Sequence, residues 1–151
     1  MNAIQFLKNE HEKAKQAFRD IEGASGDQRA ELWAKLEPEL KTHEEIEEVA
    51  LYRPVAHEVG AKDQTLKEWQ EHHHEEVTEA EALIEEIDGL DPSADEWMDK
   101  IEELKETLEH HIQEEEGNIW PRIEQAWDRS KLEHAGQQMQ TLKREKISRA
   151  A

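Results

Sequence analysis

Apolar residues recur along the chain at three- and four-residue steps, and most of the few Gly and Pro fall between the segments that show this period. Five amphipathic helices result. The first runs from about Ala3 to Ile21, opened by a capping-box pattern, Asn2-x-x-Gln5, and closed near Gly23 and Gly26. Its apolar stripe is Ile4, Leu7, Ala14, Phe18 and Ile21, and the steps become regular only when His11 fills the gap. A histidine therefore takes a buried-face position. The second helix, about Asp27 to Tyr52, carries Trp33, Leu36 and Leu40, then His43 and Glu47 at two successive inward positions, then Ala50. Pro38 lies opposite this stripe and is expected to kink the helix while leaving its inner face continuous.

The third helix, about Asp63 to Asp88, carries Leu66, Trp69, Val77, Ala80, Ile84 and Ile87. On a helical wheel His73 falls near the centre of this stripe, His72 at its edge and His74 well off it. The fourth comes after the turn Asp91-Pro92, opens on a second capping-box pattern, Ser93-x-x-Glu96, and carries Trp97, Ile101, Leu104, Leu108, Ile112 and Ile119. His111 and Glu115 share that face, and His110 points away. A last helix, Ser130 to about Ile147, carries Leu132, Ala135, Met139 and Leu142.

The first four helices form an internal repeat. His43-x-x-x-Glu47-Glu48 is followed by Tyr52 and Pro54, and His111-x-x-x-Glu115-Glu116 by Trp120 and Pro121, so the chain reads as two related helical hairpins. Stacked antiparallel, they make an all-α, up-down four-helix bundle over residues 1–128, with residues 129–151 as an extra C-terminal helix packed on the bundle or extending from it.

Composition sharpens this picture. The 151 residues hold 38 Asp+Glu, 30 of them Glu, against 19 Lys+Arg, a formal charge of −19. Nucleic acid is excluded as a partner on charge. Residues 129–151 are basic, with six Lys/Arg against two Glu, which suits docking onto the acidic bundle or, as a second reading, onto a protein partner. The chain has no Cys, so disulfides, iron–sulfur clusters and thiolate chemistry are excluded. No apolar run approaches the ~18 residues of a membrane span, and the N-terminal residues lack the pattern of a signal peptide; a soluble, cytoplasmic protein is expected. Leu, Ile, Val and Phe number only 28, so the fold needs help beyond its core, and a bound metal is one source.

The inward polar residues supply the chemistry. A carboxylate in a dry bundle costs several kcal/mol or takes a proton unless a cation compensates it. One His from each of four helices and Glu47 and Glu115 from two suit iron, manganese or zinc, and a Glu from each hairpin can bridge two metal ions. Six protein ligands on two metals leave positions open for an oxo or hydroxo bridge and for a small exogenous ligand. His57, His110 and His134 read as surface residues, and Tyr52 as a packing aromatic at the bundle end ahead of a ligand or redox-active phenol.

In their order along the chain these residues resemble the hemerythrin-like, or HHE cation-binding, domain over roughly residues 3 to 125. The matching stretches are Leu7-Lys8-Asn9-Glu10-His11, His43-Glu44-Glu45-Ile46-Glu47-Glu48 with Tyr52 and Pro54, and His111-Ile112-Gln113-Glu114-Glu115-Glu116 with Trp120-Pro121. The resemblance implies a non-heme centre of two iron ions, oxo- or hydroxo-bridged, with His11, His43, Glu47, His111 and Glu115 as ligands and one His from the third helix. Periodicity selects His73 for that place, whereas the spacing His74-Glu75-Glu76-Val77 is more similar to the family's third helix; both stay candidates. Glu44 is a candidate added ligand, against the simpler reading of a solvated face.

Oxygen-carrying hemerythrins have two His one turn apart on the third helix, where this chain has Val77 after His73 and Thr78 after His74. They also use an Asp five residues after the fourth helix's His, where Glu116 stands here, with Glu115 at four. The pattern is more similar to relatives assigned to iron or oxygen sensing, nitric-oxide or oxidative-stress responses and peroxide chemistry. The expected function is binding of dioxygen, peroxide or nitric oxide at a di-iron centre. An enzyme turning over peroxide or nitric oxide, and an acidic adaptor bundle held by a structural metal, are the alternatives.

Overall fold

A computed structural model describes residues 1–59 and 62–150, with side chains through 147. The expectations at positions 60, 61 and 148–151 lie outside those residues or side chains. Among the described residues seven α-helices run α1 (Ala3–Glu22), α2 (Gly26–Glu47), α3 (Arg53–Glu58), α4 (Gln64–Asp88), α5 (Asp95–Glu114), α6 (Trp120–Ala126) and α7 (Arg129–Ala150). Five-residue π-helical turns, Glu48–Tyr52 and Glu115–Ile119, join α2 to α3 and α5 to α6 without a break in the rod. No strand occurs among the described residues, and no helix there is long and apolar enough to cross a membrane.

Local signals set most helix ends. Asn2 and Gln5 exchange side-chain-to-backbone hydrogen bonds of 2.9 and 3.1 Å, the expected capping box. Asp63 caps α4 by accepting from the Leu66 amide at 3.1 Å. The second capping box is not formed. Ser93 donates through both its amide and its hydroxyl to Asp91 Oδ1, at 2.9 and 2.7 Å, so the helix opens after Ala94 with no side-chain cap. The short-range Asx turn wins over the cap. Pro38 sits within α2, exposed, and the helix continues through it.

The hairpins α1–α2 and α4–α5 stack into one four-helix bundle. One core cluster draws on all four helices, with Phe18 and Ile21, Trp33 and Leu36, Ile84 and Ile87, and Trp97, Ile101 and Leu104. The Trp33 indole, donating to Asp88 at 2.8 Å, ties α2 to the end of α4. A second cluster at the other end gathers Leu7, Ile46, Leu51, Trp69, Trp120 and residues of α7. The inward His and Glu residues lie between these clusters, so the apolar core has a polar layer across its middle. α7 packs Leu132, Ala135 and Met139 into the second cluster. Lys143 pairs with Glu10 at 2.5 Å, Lys131 with Glu58 at 2.9 Å, and Lys146 with Glu45, so the basic helix docks on acidic neighbours.

Candidate metal centre

Each hairpin delivers its His-x-x-x-Glu pair from the last turns of α2 and α5, immediately before or at the π turn. The i, i+4 spacing puts both side chains on one face. His43 Nε2 lies 2.7 Å from Glu47 Oε2, and His111 Nε2 lies 3.0 Å from Glu115 Oε1. His11 from α1 adds a third imidazole, its Nε2 3.4 Å from the same Glu115 oxygen. His73 from α4 supplies the fourth, stacked on His111 at 4.6 Å.

Two sets of three residues bring one donor atom each within 4.8 Å of one another: His11, His43 and Glu47, and Glu47, His73 and His111. Glu47 belongs to both. Glu115 also touches both, through His11 of one and His111 of the other. Both carboxylates are fully buried, and the close His43–Glu47 and His111–Glu115 contacts lack hydrogen-bond geometry, which leaves Glu47 Oε1 and Oε2, Glu115 Oε1, His73 Nδ1 and His111 Nε2 without a hydrogen bond among the described residues. Unpaired buried acceptors on two carboxylates are costly without a cation, and nitrogen and carboxylate donors suit a first-row transition metal. The residues therefore fit a metal centre, with Glu47 and Glu115 among the donors that would hold it. The buried His73, not the exposed His74, joins the cluster, so on this helix the periodicity holds and the spacing His74-x-x-Val77 does not.

The outer nitrogens have partners that the apolar pattern did not reveal. His11 Nδ1 is 3.2 Å from Glu116, and His111 Nδ1 is 3.1 Å from Glu76. A carboxylate behind each ring fixes its orientation and turns the Nε2 lone pair inward. Spacing offered a weak signal: Glu116 comes five residues after His111, and Glu76 three after His73. The Tyr52 hydroxyl donates to Glu115 Oε2 and accepts from the Trp120 indole at 2.8 Å. Tyr52 is thus more than a packing aromatic. Trp120 stacks on His11 at 4.9 Å and Trp69 on His73 at 4.6 Å, so apolar rings hold the imidazoles in place. His57, His110 and His134 are exposed. His110 pairs with Glu114 at 3.3 Å on the outer face of α5, and together with Glu76 they form a surface grouping of a kind common without an ion.

Burial, followed by repulsion from His43, lowers the His11 pKa to about 3. His73, chiefly through burial, falls to about 4. Both are neutral, metal-ready imidazoles at pH 7. Burial works against charge on His43 too, but the Glu47 carboxylate outweighs it and raises the pKa to about 8. In return Glu47, despite burial, is held at about 2 by His43. Glu44, half-buried 3.8 Å from His73, is pushed up to about 7 by burial and then by Glu47. Burial and the Glu47 charge keep the Tyr52 phenol protonated well above its ordinary range.

The hemerythrin HHE cation-binding domain model matches residues 2–123. The chain belongs to this family, and it is a metal-binding helical bundle. Its fold is similar to the crystal structure of a hemerythrin HHE cation-binding domain-containing protein from Mycobacterium kansasii, with a TM-score of 0.83 and 23% identity over 98% of this chain and 89% of that one. No curated protein matches the chain.

Proposed function

We propose that the protein holds a non-heme di-iron centre and binds a small oxidant there, dioxygen, peroxide or nitric oxide, for sensing, storage or an oxidative-stress response. The observation that carries this reading is Glu47, a fully buried carboxylate common to both three-residue donor sets, whose close polar contact is an imidazole and not a Lys or Arg. His11, His43, Glu47, His73, His111 and Glu115 would hold the metals. When bound, the iron pair supplies two one-electron redox equivalents and open coordination positions for a small ligand.

The chain's own residues do the rest. Trp69 and Trp120, buried and stacked on His73 and His11, wall off one side of the centre and exclude water there. Tyr52 orients Glu115 by donating to its Oε2 and keeps its own proton at neutral pH. Glu44 stands 3.8 Å from His73, and, without metal, burial and the Glu47 charge push its carboxyl up to about 7. Glu76 and Glu116 fix the rings of His111 and His11. A direct test is anaerobic reduction of the iron-loaded protein and then addition of dioxygen, hydrogen peroxide or nitric oxide, read in the near-ultraviolet. The expected result is stoichiometric spectral change with at least one of the three. A reduced spectrum left unchanged by all three would overturn oxidant binding, and a colourless protein that folds only with zinc would mark a structural metal instead.

A further inference from the structure

Next to the centre, between the two core clusters, the bundle holds a cavity of about 300 Å³ that is open to solvent on one side. At one end it meets His11, His43 and His111. Its other end is closed by Phe18, Leu36, Ile84 and Leu104, all buried in the core cluster of the lower bundle. On α1, α2 and α5 the same seven residues separate the imidazole from the floor residue, and on α4 seven separate Val77 from Ile84. At 1.5 Å per residue the cavity is about 10 Å long and parallel to the bundle axis.

The walls are core positions left unfilled. Ala14, Leu40, Val77, Ala80 and Leu108 sit on the apolar stripes of all four helices, yet each is only half-buried and faces this space. Two of these positions carry Ala. A void of this kind costs a bundle stability, and the side chains needed to close it are ordinary ones. Its size is also far beyond what a diatomic needs, since a water molecule's share of the liquid is about 30 Å³. An apolar space in this size range with a few convergent polar groups at one end is the usual form of a site for an organic ligand.

Charge at the opening selects among such ligands. Seven glutamates and three lysines line it, and Lys15, Lys41 and Lys105 are already paired with Glu12, Glu37 and Glu22 at 3.3, 2.9 and 2.6 Å. An anionic head group meets net repulsion there. We propose that this cavity binds a neutral organic molecule with an unbranched apolar tail of about eight carbons, its tail against Phe18, Leu36, Ile84 and Leu104 and its polar end toward the imidazoles of His11, His43 and His111. The binding stands on the cavity; that the ligand's polar end is the part presented to a metal rests on the di-iron reading.

The test is calorimetric titration of the full-length protein, metal-loaded and metal-free, with straight-chain primary alcohols from four to twelve carbons and with octanoate. Metal content is measured on the same samples. Each added methylene should tighten binding roughly three- to fourfold, with the gain ending near eight carbons. Octanoate should bind more weakly than octanol at low salt. Ala80→Leu and, separately, Ala14→Leu should fill the space, weaken octanol binding at least tenfold, raise the melting temperature and leave the metal content unchanged. The second variant guards against one that fails to fold. No octanol binding by wild type, no dependence on chain length, or undiminished binding in both folded variants would overturn the proposal. Octanol binding in a protein that takes up no metal when iron is supplied would uphold the cavity and overturn the di-iron reading alone.

Discussion

Glu47 has no counter-charge among Lys or Arg, and its buried oxygens depend on a histidine and on whatever cation the centre holds. Glu47→Ala should therefore lose metal and destabilise the metal-loaded protein by about 3–5 kcal/mol. After chelation that difference should shrink, because the variant no longer buries a carboxylate, and thermal melts of both forms measure it. His110→Ala, on the exposed face, should change metal content by nothing and stability by under about 0.5 kcal/mol. Tyr52→Phe strands the Trp120 indole and one Glu115 oxygen and should cost about 1–3 kcal/mol, read by denaturant melts. The inward residues His11, His43, Glu47, His111 and Glu115 were legible because each fills a gap in an apolar period. Glu76 and Glu116 were not, because a carboxylate behind a histidine sits at the edge of the stripe, where a solvated glutamate looks the same in sequence.

At the scale of elements, the four long helices and the docked tail were legible in apolar spacing, and their ends in the Asn2 cap and the glycines. The π turns were not. Glu48–Tyr52 and Glu115–Ile119 keep helical composition, and a single inserted residue per turn leaves no mark in a three-to-four-residue period. The repeat of aromatic and proline after each His-x-x-x-Glu pair was their only trace. Each π turn rotates the downstream helix relative to the pair before it, which in the first hairpin brings Tyr52 back onto the centre. Deleting the exposed Val49 takes out that inserted residue, so the α-helical register it restores should keep Tyr52 facing Glu115 and leave the metal content close to that of the unaltered chain. Gly136 is a second packing point, because a Cβ there would collide with the Met1 carbonyl oxygen. Gly136→Ala should push α7 from α1 and cost about 1–3 kcal/mol in a thermal melt.

For the molecule as a whole, the polar layer ties stability to pH and to metal. In the metal-free protein His11 and His73 hold pKa values of about 3 and 4 against 6.5, so unfolding takes up protons on both as pH falls below 6.5. Glu44, at about 7 against 4.5, works the other way over pH 4.5–7, because the fold keeps a proton that the unfolded chain releases. With two histidines set against one carboxyl, these groups together lower stability as pH drops from 6.5 to 4.5. Above 6.5 the sign reverses, since His43 stabilises only until it loses its proton through pH 8. Metal-free melts at high salt, where the repulsion of a −19 surface is screened, should therefore peak near pH 6.5. In the proposed function this layer holds two metals. Plasma mass spectrometry and an absorption spectrum of untagged protein from iron-supplemented cells test it directly. About two irons per chain with near-ultraviolet bands is the predicted result, and well-folded protein without stoichiometric metal would contradict the account.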